Sequence, residues 1–327
     1  MKKAVFFFLL GGLLVWAGSQ AFEKSTQSPS EESEPEWDTA FEKVQIKSPL
    51  DGHLQPAYFY ASQSDLPQPL IVSLHTWSYD YTQYDSLNQF ALEADINYIH
   101  PNFRGPNNHK KACCSEFVLS DIDAAIDYAL NHGNVDTNRI YVVGKSGGGY
   151  ATLAMFMKSK HQIHTFSSWV PLCDLVQWYE DARIRKLDYA KDVLACTQSA
   201  ADSLILENAR KQSPFYWETP LEKLKDTRLN IHTGIYDGML GNGTIPITHS
   251  YRFYNKVLSD MDVEDSSAYV SAAEKLALLE ERKPLGKFGS IGGRKIALVK
   301  EYGNIKLTFF LGGHEMLRAF AFQELIQ

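Results

Sequence analysis

The chain has 327 residues, 44% of them hydrophobic and 22% charged, with 32 Lys and Arg against 39 Asp and Glu. These proportions exclude collagen-like, coiled-coil and wholly disordered chains. The formal net charge of −7 argues against non-specific nucleic-acid binding, which rests on cationic side chains releasing counterions.

Lys2 and Lys3 precede an apolar run at 4–18, and Ser19-Gln20-Ala21 has the small-x-small form of a cleavage site. This is the pattern of a secretory signal peptide. The run is 15 residues long, short of the roughly 18 of a membrane span. The expectation is a cleaved signal at 1–21 and a secreted or periplasmic, soluble protein with no stable membrane span. Loss of Lys2 and Lys3 takes its charge from −7 to near −9. Residues 22–38, rich in Ser, Glu and Pro, read as a disordered linker, and 39–327 as the folded domain.

Within that domain Val44-Gln45-Ile46 alternates, Asp51-Gly52 signals a hairpin turn, and Ala57 to Tyr60 returns as a strand. Pro69 to Leu74 is a short β-branched apolar run suited to a buried strand. A helix over 86–95 and a strand from Ile96 to Ile99 follow. Ser120 to Asn131 sets Ile122, Ala125, Ile126, Ala129 and Leu130 on one helical face, closed by Gly133 as a C′ glycine. Ile140 to Val143 is a buried strand, Tyr150 to Met157 a helix of small residues, and Phe166 to Val170 another strand. Residues 174–222 lack clear periodicity and read as an insertion or lid over the sheet. Leu229 to His232 is a strand, Thr248 to Leu258 a helix, Ile305 to Leu311 a strand and Glu315 to Ile326 a closing helix. Strands alternating with helices imply an α/β fold with a mainly parallel central sheet flanked by helices.

Four cysteines, Cys113, Cys114, Cys173 and Cys196, allow three complete disulfide pairings. The adjacency of Cys113 and Cys114 favours a single bridge to Cys173 or Cys196 over a full set. No C-x₂-C spacing or nearby His offers a metal site, and no metal or organic cofactor is implied.

Gly144-Lys145-Ser146-Gly147-Gly148 is a G-x-S-x-G between an apolar strand and a helix. Its glycines allow the sharp turn that lifts a serine hydroxyl above the strand ends. Gly144-Lys145-Ser146 also reads as the end of a phosphate-binding loop, but that motif needs a glycine where Arg139 stands. Ser146 is therefore the candidate nucleophile, and the N–H of Gly147 points where an oxyanion would form. A nucleophilic serine needs a base and a group to orient the base, in chain order Ser, acid, His. His314 lies in a loop just past a strand, where α/β sites are built, whereas His232 sits within a strand and His249 near a helix start. For the acid, Asp237 follows its strand by a short loop, and Asp174 is the competitor. The second oxyanion donor is expected from the loop after the strand at 69–74, at the N–H of Thr76 or Trp77 or the hydroxyl of Tyr79. Tyr79, Trp178 and Tyr179, with Tyr216, are candidate substrate-wall residues. Packing of the insertion is the favoured role for the last three.

With these residues in place, the chain from about 40 to 327 resembles the α/β-hydrolase superfamily, and within it the catalytic domain of the prolyl oligopeptidase-like (S9) serine hydrolases. Phe103-Arg104-Gly105, Gly144 to Gly149, His232 to Asp237 with Ile245-Pro246 downstream, and Gly313-His314 carry the resemblance. It departs at His75-Thr76-Trp77, which stands where a His-Gly-Gly-like segment is usual, and in the longer loop 239–244. The resemblance implies a Ser-His-Asp acyl-enzyme mechanism on a small-molecule, glycan or peptide substrate. No propeller domain precedes the hydrolase part, so the expectation is an esterase, including one acting on acylated carbohydrate, with an S9-type peptidase as the alternative. A catalytically silent binding protein on the same scaffold is the rival of another class.

Overall fold

The computed structural model describes residues 36–239 and 245–327. The signal segment, most of the expected linker and nearly all of the longer loop at 239–244 fall outside them. The linker's last residues do not behave as one: the Trp37 ring stacks on Tyr58 at 4.3 Å.

In chain order the strands are β1 (Glu42–Lys47), β2 (Leu54–Tyr60), β3 (Gln68–Leu74), β4 (Asn97–Pro101), β5 (Val135–Lys145), β6 (Thr165–Trp169), β7 (Arg228–Gly234), β8 (Ser290–Ile291), β9 (Arg294–Tyr302) and β10 (Ile305–Phe310). They form one sheet in the order β1-β2-β4-β3-β5-β6-β7-β10-β9-β8. From β4 to β10 every neighbouring pair is parallel, and the flanking pairs are antiparallel. Leu70, Ile71 and Val72 of β3 are all fully buried. Such unbroken apolar runs belong to strands covered on both faces.

The helices are α1 (Leu87–Glu93), α2 (Glu116–His132), α3 (Gly147–Lys158), α4 (Leu175–Ile184), α5 (Tyr189–Cys196), α6 (Leu206–Lys211), α7 (Thr248–Asp260), α8 (Ala272–Glu280) and α9 (Arg318–Ile326). Strand side chains alternate between two cores. Val72 and Val142 join α2, α3 and α7 on one face, while Ile71, Tyr141 and Val143 join α1 and α9 on the other.

Several expectations are revised. The helix expected from Ser120 starts at Glu116. Gly133 ends it with φ −119°, so left-handed backbone is not what selects glycine there. A Cβ would instead lie 2.7 Å from the Asn97 Oδ1. The 174–222 segment contains α4, α5 and α6, and the stretch between α7 and β10 contains α8 and the β8–β9 hairpin. Cys113 and Cys196 form a disulfide, and Cys114 and Cys173 are free and buried.

Candidate active site

The six parallel strands end on one edge, and the loops after β3, β5, β7 and β10 carry the chemistry-bearing residues, as expected where parallel strands deliver their carboxyl ends. Ser146 follows β5 directly, with φ 60° and ψ −118°. A non-glycine residue held there costs on the order of 1–3 kcal/mol. The turn is fixed by Ser146 N–H donating to the Trp169 carbonyl at 2.9 Å. Its glycines leave room for close backbone approach: a Cβ on Gly144 would meet the Gly148 carbonyl at 2.4 Å, and one on Gly148 the Leu74 carbonyl at 2.1 Å.

Asp237 and His314 meet across the β7 and β10 loops. The His314 Nδ1 lies 2.7 Å from Asp237 Oδ2. The carboxylate only accepts, which assigns the proton to Nδ1 and leaves Nε2 basic. Gly238 N–H donates to the other oxygen, Oδ1, at 2.8 Å. Burial raises the Asp237 pKa above its usual value, and the His314 contact partly offsets this. The two loops lie close because Gly234 has no side chain. A Cβ there would fall 2.2 Å from the Gly313 carbonyl, while Tyr236 N–H donates to the Gly312 carbonyl at 2.9 Å. Asp174 is placed elsewhere. Its carboxylate caps α4 through the N–H groups of Val176 and Gln177 and pairs with Arg252 at 3.1 Å.

The loop after β3 crosses over the start of α3. A Cβ on Gly147 would lie 2.4 Å from the Trp77 nitrogen, so the two amides are neighbours. The Thr76 N–H is already engaged, donating to Gln83 Oε1 at 2.8 Å, which sets Thr76 aside as an oxyanion donor. Among the described residues no acceptor takes the N–H of Trp77 or of Gly147. Nothing in the sequence pattern singles out Gln83. The loop is further pinned by His75, whose Nε2–H donates to the Asn102 carbonyl at 2.6 Å and whose ring stacks on Phe103 at 3.8 Å. The next residue, Arg104, is buried against Asp121 at 2.5 Å and Asp51 at 2.8 Å.

The substrate-wall expectations fare differently. Trp178 and Tyr179 are 2% and 4% exposed and pack into the core, because α4 turns that face towards the sheet. They offer no surface to a ligand. Tyr79 is exposed, and the Tyr216 hydroxyl donates to Asp174 at 3.2 Å. Among the described residues no His, Cys, Asp and Glu cluster could hold a metal ion, and no helix is long and apolar enough to cross a membrane.

Residues 82–200 match the model of the prolyl oligopeptidase family, and that segment spans the Ser146 turn and the disulfide. The match supports a likeness to the prolyl oligopeptidase family over that segment. A rice (Oryza sativa subsp. japonica) protein described as acylamino-acid-releasing enzyme 2 is 22% identical over 205 residues, 57% of this chain and 26% of its own length. Among solved structures, the Pyrococcus horikoshii acylaminoacyl peptidase superposes with a TM-score of 0.53 at 18% identity, covering 68% of this chain and 36% of that one. A Mycobacterium tuberculosis puromycin-hydrolyzing peptidase gives 0.55 at 14% identity, covering 88% and 38%. At these identities the superpositions show a shared α/β-hydrolase fold and nothing beyond it. This chain spans about a quarter to two fifths of the length of these three relatives.

Proposed function

We propose that this protein is a serine hydrolase that cleaves ester or amide bonds through an acyl-enzyme. The observation that carries the reading is the Asp237–His314 pair at 2.7 Å, on the same sheet edge as the strained Ser146 and two unused N–H groups. Ser146 attacks the substrate carbonyl, and His314 takes the hydroxyl proton on Nε2 and returns it to the leaving group. Asp237 holds the tautomer and stabilises the imidazolium. The Ser146 hydroxyl has no hydrogen bond to His314 in this structure, and such contacts are commonly loose before substrate arrives. The N–H groups of Gly147 and Trp77 receive the oxyanion, each worth roughly 2.7–4 kcal/mol by analogy with single-donor deletions. Water then releases the acid.

Esters, including acylated carbohydrate, are the first substrate class. A peptidase is the second reading, favoured by relatives whose names describe acylaminoacyl and puromycin-hydrolyzing peptidases. Export to an oxidising compartment is part of the proposal. It is supported by the signal-like segment at 1–21 and by the Cys113–Cys196 disulfide, since such bonds persist outside the reducing cytosol.

The test is Ser146→Ala assayed with p-nitrophenyl acetate and a fluorophosphonate probe. Loss of both hydrolysis and labelling is expected, and unchanged turnover would sink the serine mechanism. Acetylated and feruloylated polysaccharides run beside N-acyl-aminoacyl anilides then rank the two substrate classes.

A further inference from the structure

Trp77 is held at both ends by segments that one disulfide joins. Its carbonyl accepts the N–H of Asn107 at 2.8 Å. The Asn107 side chain in turn accepts the N–H of Cys113 through Oδ1 at 2.7 Å. Cys113 is bonded to Cys196, the last residue of α5. One turn earlier on the same helix, Asp192 accepts from the Trp77 indole Nε1–H through Oδ2 at 3.0 Å. Residues four apart share a helix face, so Asp192 and Cys196 address the same side of the loop. Contacts therefore run from Trp77 to Asn107, Cys113, Cys196 and Asp192 and back to Trp77. Four of its five members are buried, Trp77, Asn107, Cys113 and Cys196 each at most 4% exposed, and Asp192 is half-buried. The Tyr150 hydroxyl of α3 lies 2.8 Å from the Cys113 carbonyl and nearer still to the Gln212 carbonyl, which compete for its one proton.

We propose that the Cys113–Cys196 disulfide, acting through Asp192 and Asn107, is a positioning device for the Trp77 backbone N–H in the oxyanion hole. This rests on the serine-hydrolase reading above. Trp77 lies in an irregular loop, and loops are the mobile parts of a fold. Its N–H is useful only if held near the developing oxyanion. Anchoring its side chain and its own carbonyl fixes the Cα between them, and Gln83 fixes the preceding Thr76 amide.

The test compares the oxidised protein with the Cys113→Ser/Cys196→Ser variant, each with and without Trp77→Phe, which keeps the backbone N–H and removes the indole donor. Loss of the disulfide is expected to lower kcat on p-nitrophenyl acetate about tenfold to a hundredfold with KM within about twofold. Affinity for a trifluoromethyl ketone transition-state analogue falls in step. Trp77→Phe lowers kcat in the oxidised protein but adds little once the disulfide is gone, because both break one ring. The ¹⁵N-labelled backbone and indole N–H resonances of Trp77 shift or broaden on disulfide loss, whether or not the protein turns over substrate. Unmoved Trp77 resonances, an unchanged kcat, or fully additive losses each overturn the clamp. Failure of the underlying reading shows separately, as wild-type protein whose turnover survives Ser146→Ala. Should the double-serine variant not fold, Asp192→Leu opens the ring at its outer contact and is held to the same outcomes.

Discussion

Gly147→Ala isolates the oxyanion geometry from the rest of the fold. Gly147 lies at the first position of α3, and its φ is not in the left-handed region. Alanine therefore suits the local backbone, and helix propensity alone favours it by up to about 1 kcal/mol. The obstacle is tertiary. The added Cβ would sit 2.4 Å from the Trp77 nitrogen and 2.5 Å from its Cα, against an ordinary contact of about 3.5 Å. Backbone must move by about 1 Å, and the atoms that move belong to the two proposed oxyanion donors. A misplacement of that size at a reacting centre costs on the order of a hundredfold in rate. Steady-state kinetics with p-nitrophenyl acetate should show kcat falling by about that factor, KM within about threefold, and a melting temperature within a few degrees of wild type. Gly148→Ala is the contrast. Its Cβ would meet the Leu74 carbonyl at 2.1 Å, at the end of a core strand, so its cost should appear in stability. If Gly147→Ala keeps kcat within about threefold of wild type, the paired amides of Gly147 and Trp77 are not the oxyanion hole.

Three further outcomes follow from the same contacts. Asp237→Asn should lower kcat by about 10⁴, the size of effect seen when a triad histidine loses its tautomer, while Asp174→Ala keeps most of its activity and loses about 1 kcal/mol or more with the α4 cap. A larger kcat loss in Asp174→Ala would reverse the assignment. Arg104→Met strands the Asp121 carboxylate, 3% exposed, and should cost about 3–5 kcal/mol in urea unfolding. A loss under about 1 kcal/mol would show that the ion pair contributes little. Burial holds His100 and His249 neutral, with pKa values lowered to about 4 and about 3. The unfolded chain takes up these protons below about 6.5, so stability falls as pH drops from 6.5 and levels off for each group at its folded pKa. Together the two should remove about 4 kcal/mol between pH 7 and pH 5. A flat urea midpoint across that window would show that neither histidine is buried in its neutral form.

What could be read from the sequence divides along a physical line. The strand-end loops holding Ser146, Asp237 and His314 were legible because short apolar runs with β-branched residues, such as Leu70 to Leu74 and Ile140 to Val143, bounded by turn residues read as buried strands, and the residues just beyond them fall on one edge. The β9 strand was not legible in this way. Lys295, Lys300 and Glu301 interrupt it because it lies towards the sheet's edge, and its clearest signals were the turn residues Gly292-Gly293 and Gly303-Asn304 on either side.

The choice between Thr76 and Trp77 needed a different kind of information. Both stand in the same loop, and no periodicity distinguishes their amides. The difference is that Gln83, seven residues on, consumes one N–H, while the bare Cα of Gly147 brings the other beside Ser146. Trp178 and Tyr179 pose the same problem in reverse: aromatic residues in a polar insertion look available for a ligand until α4 turns them inward. In each case the residue's chemistry was visible along the chain, but its availability depended on long-range partners. The disulfide shows why this matters for function. Cysteines 83 residues apart tie α5 to the loop after Arg104, and what lies between those two segments is the Trp77 amide proposed to complete the oxyanion hole.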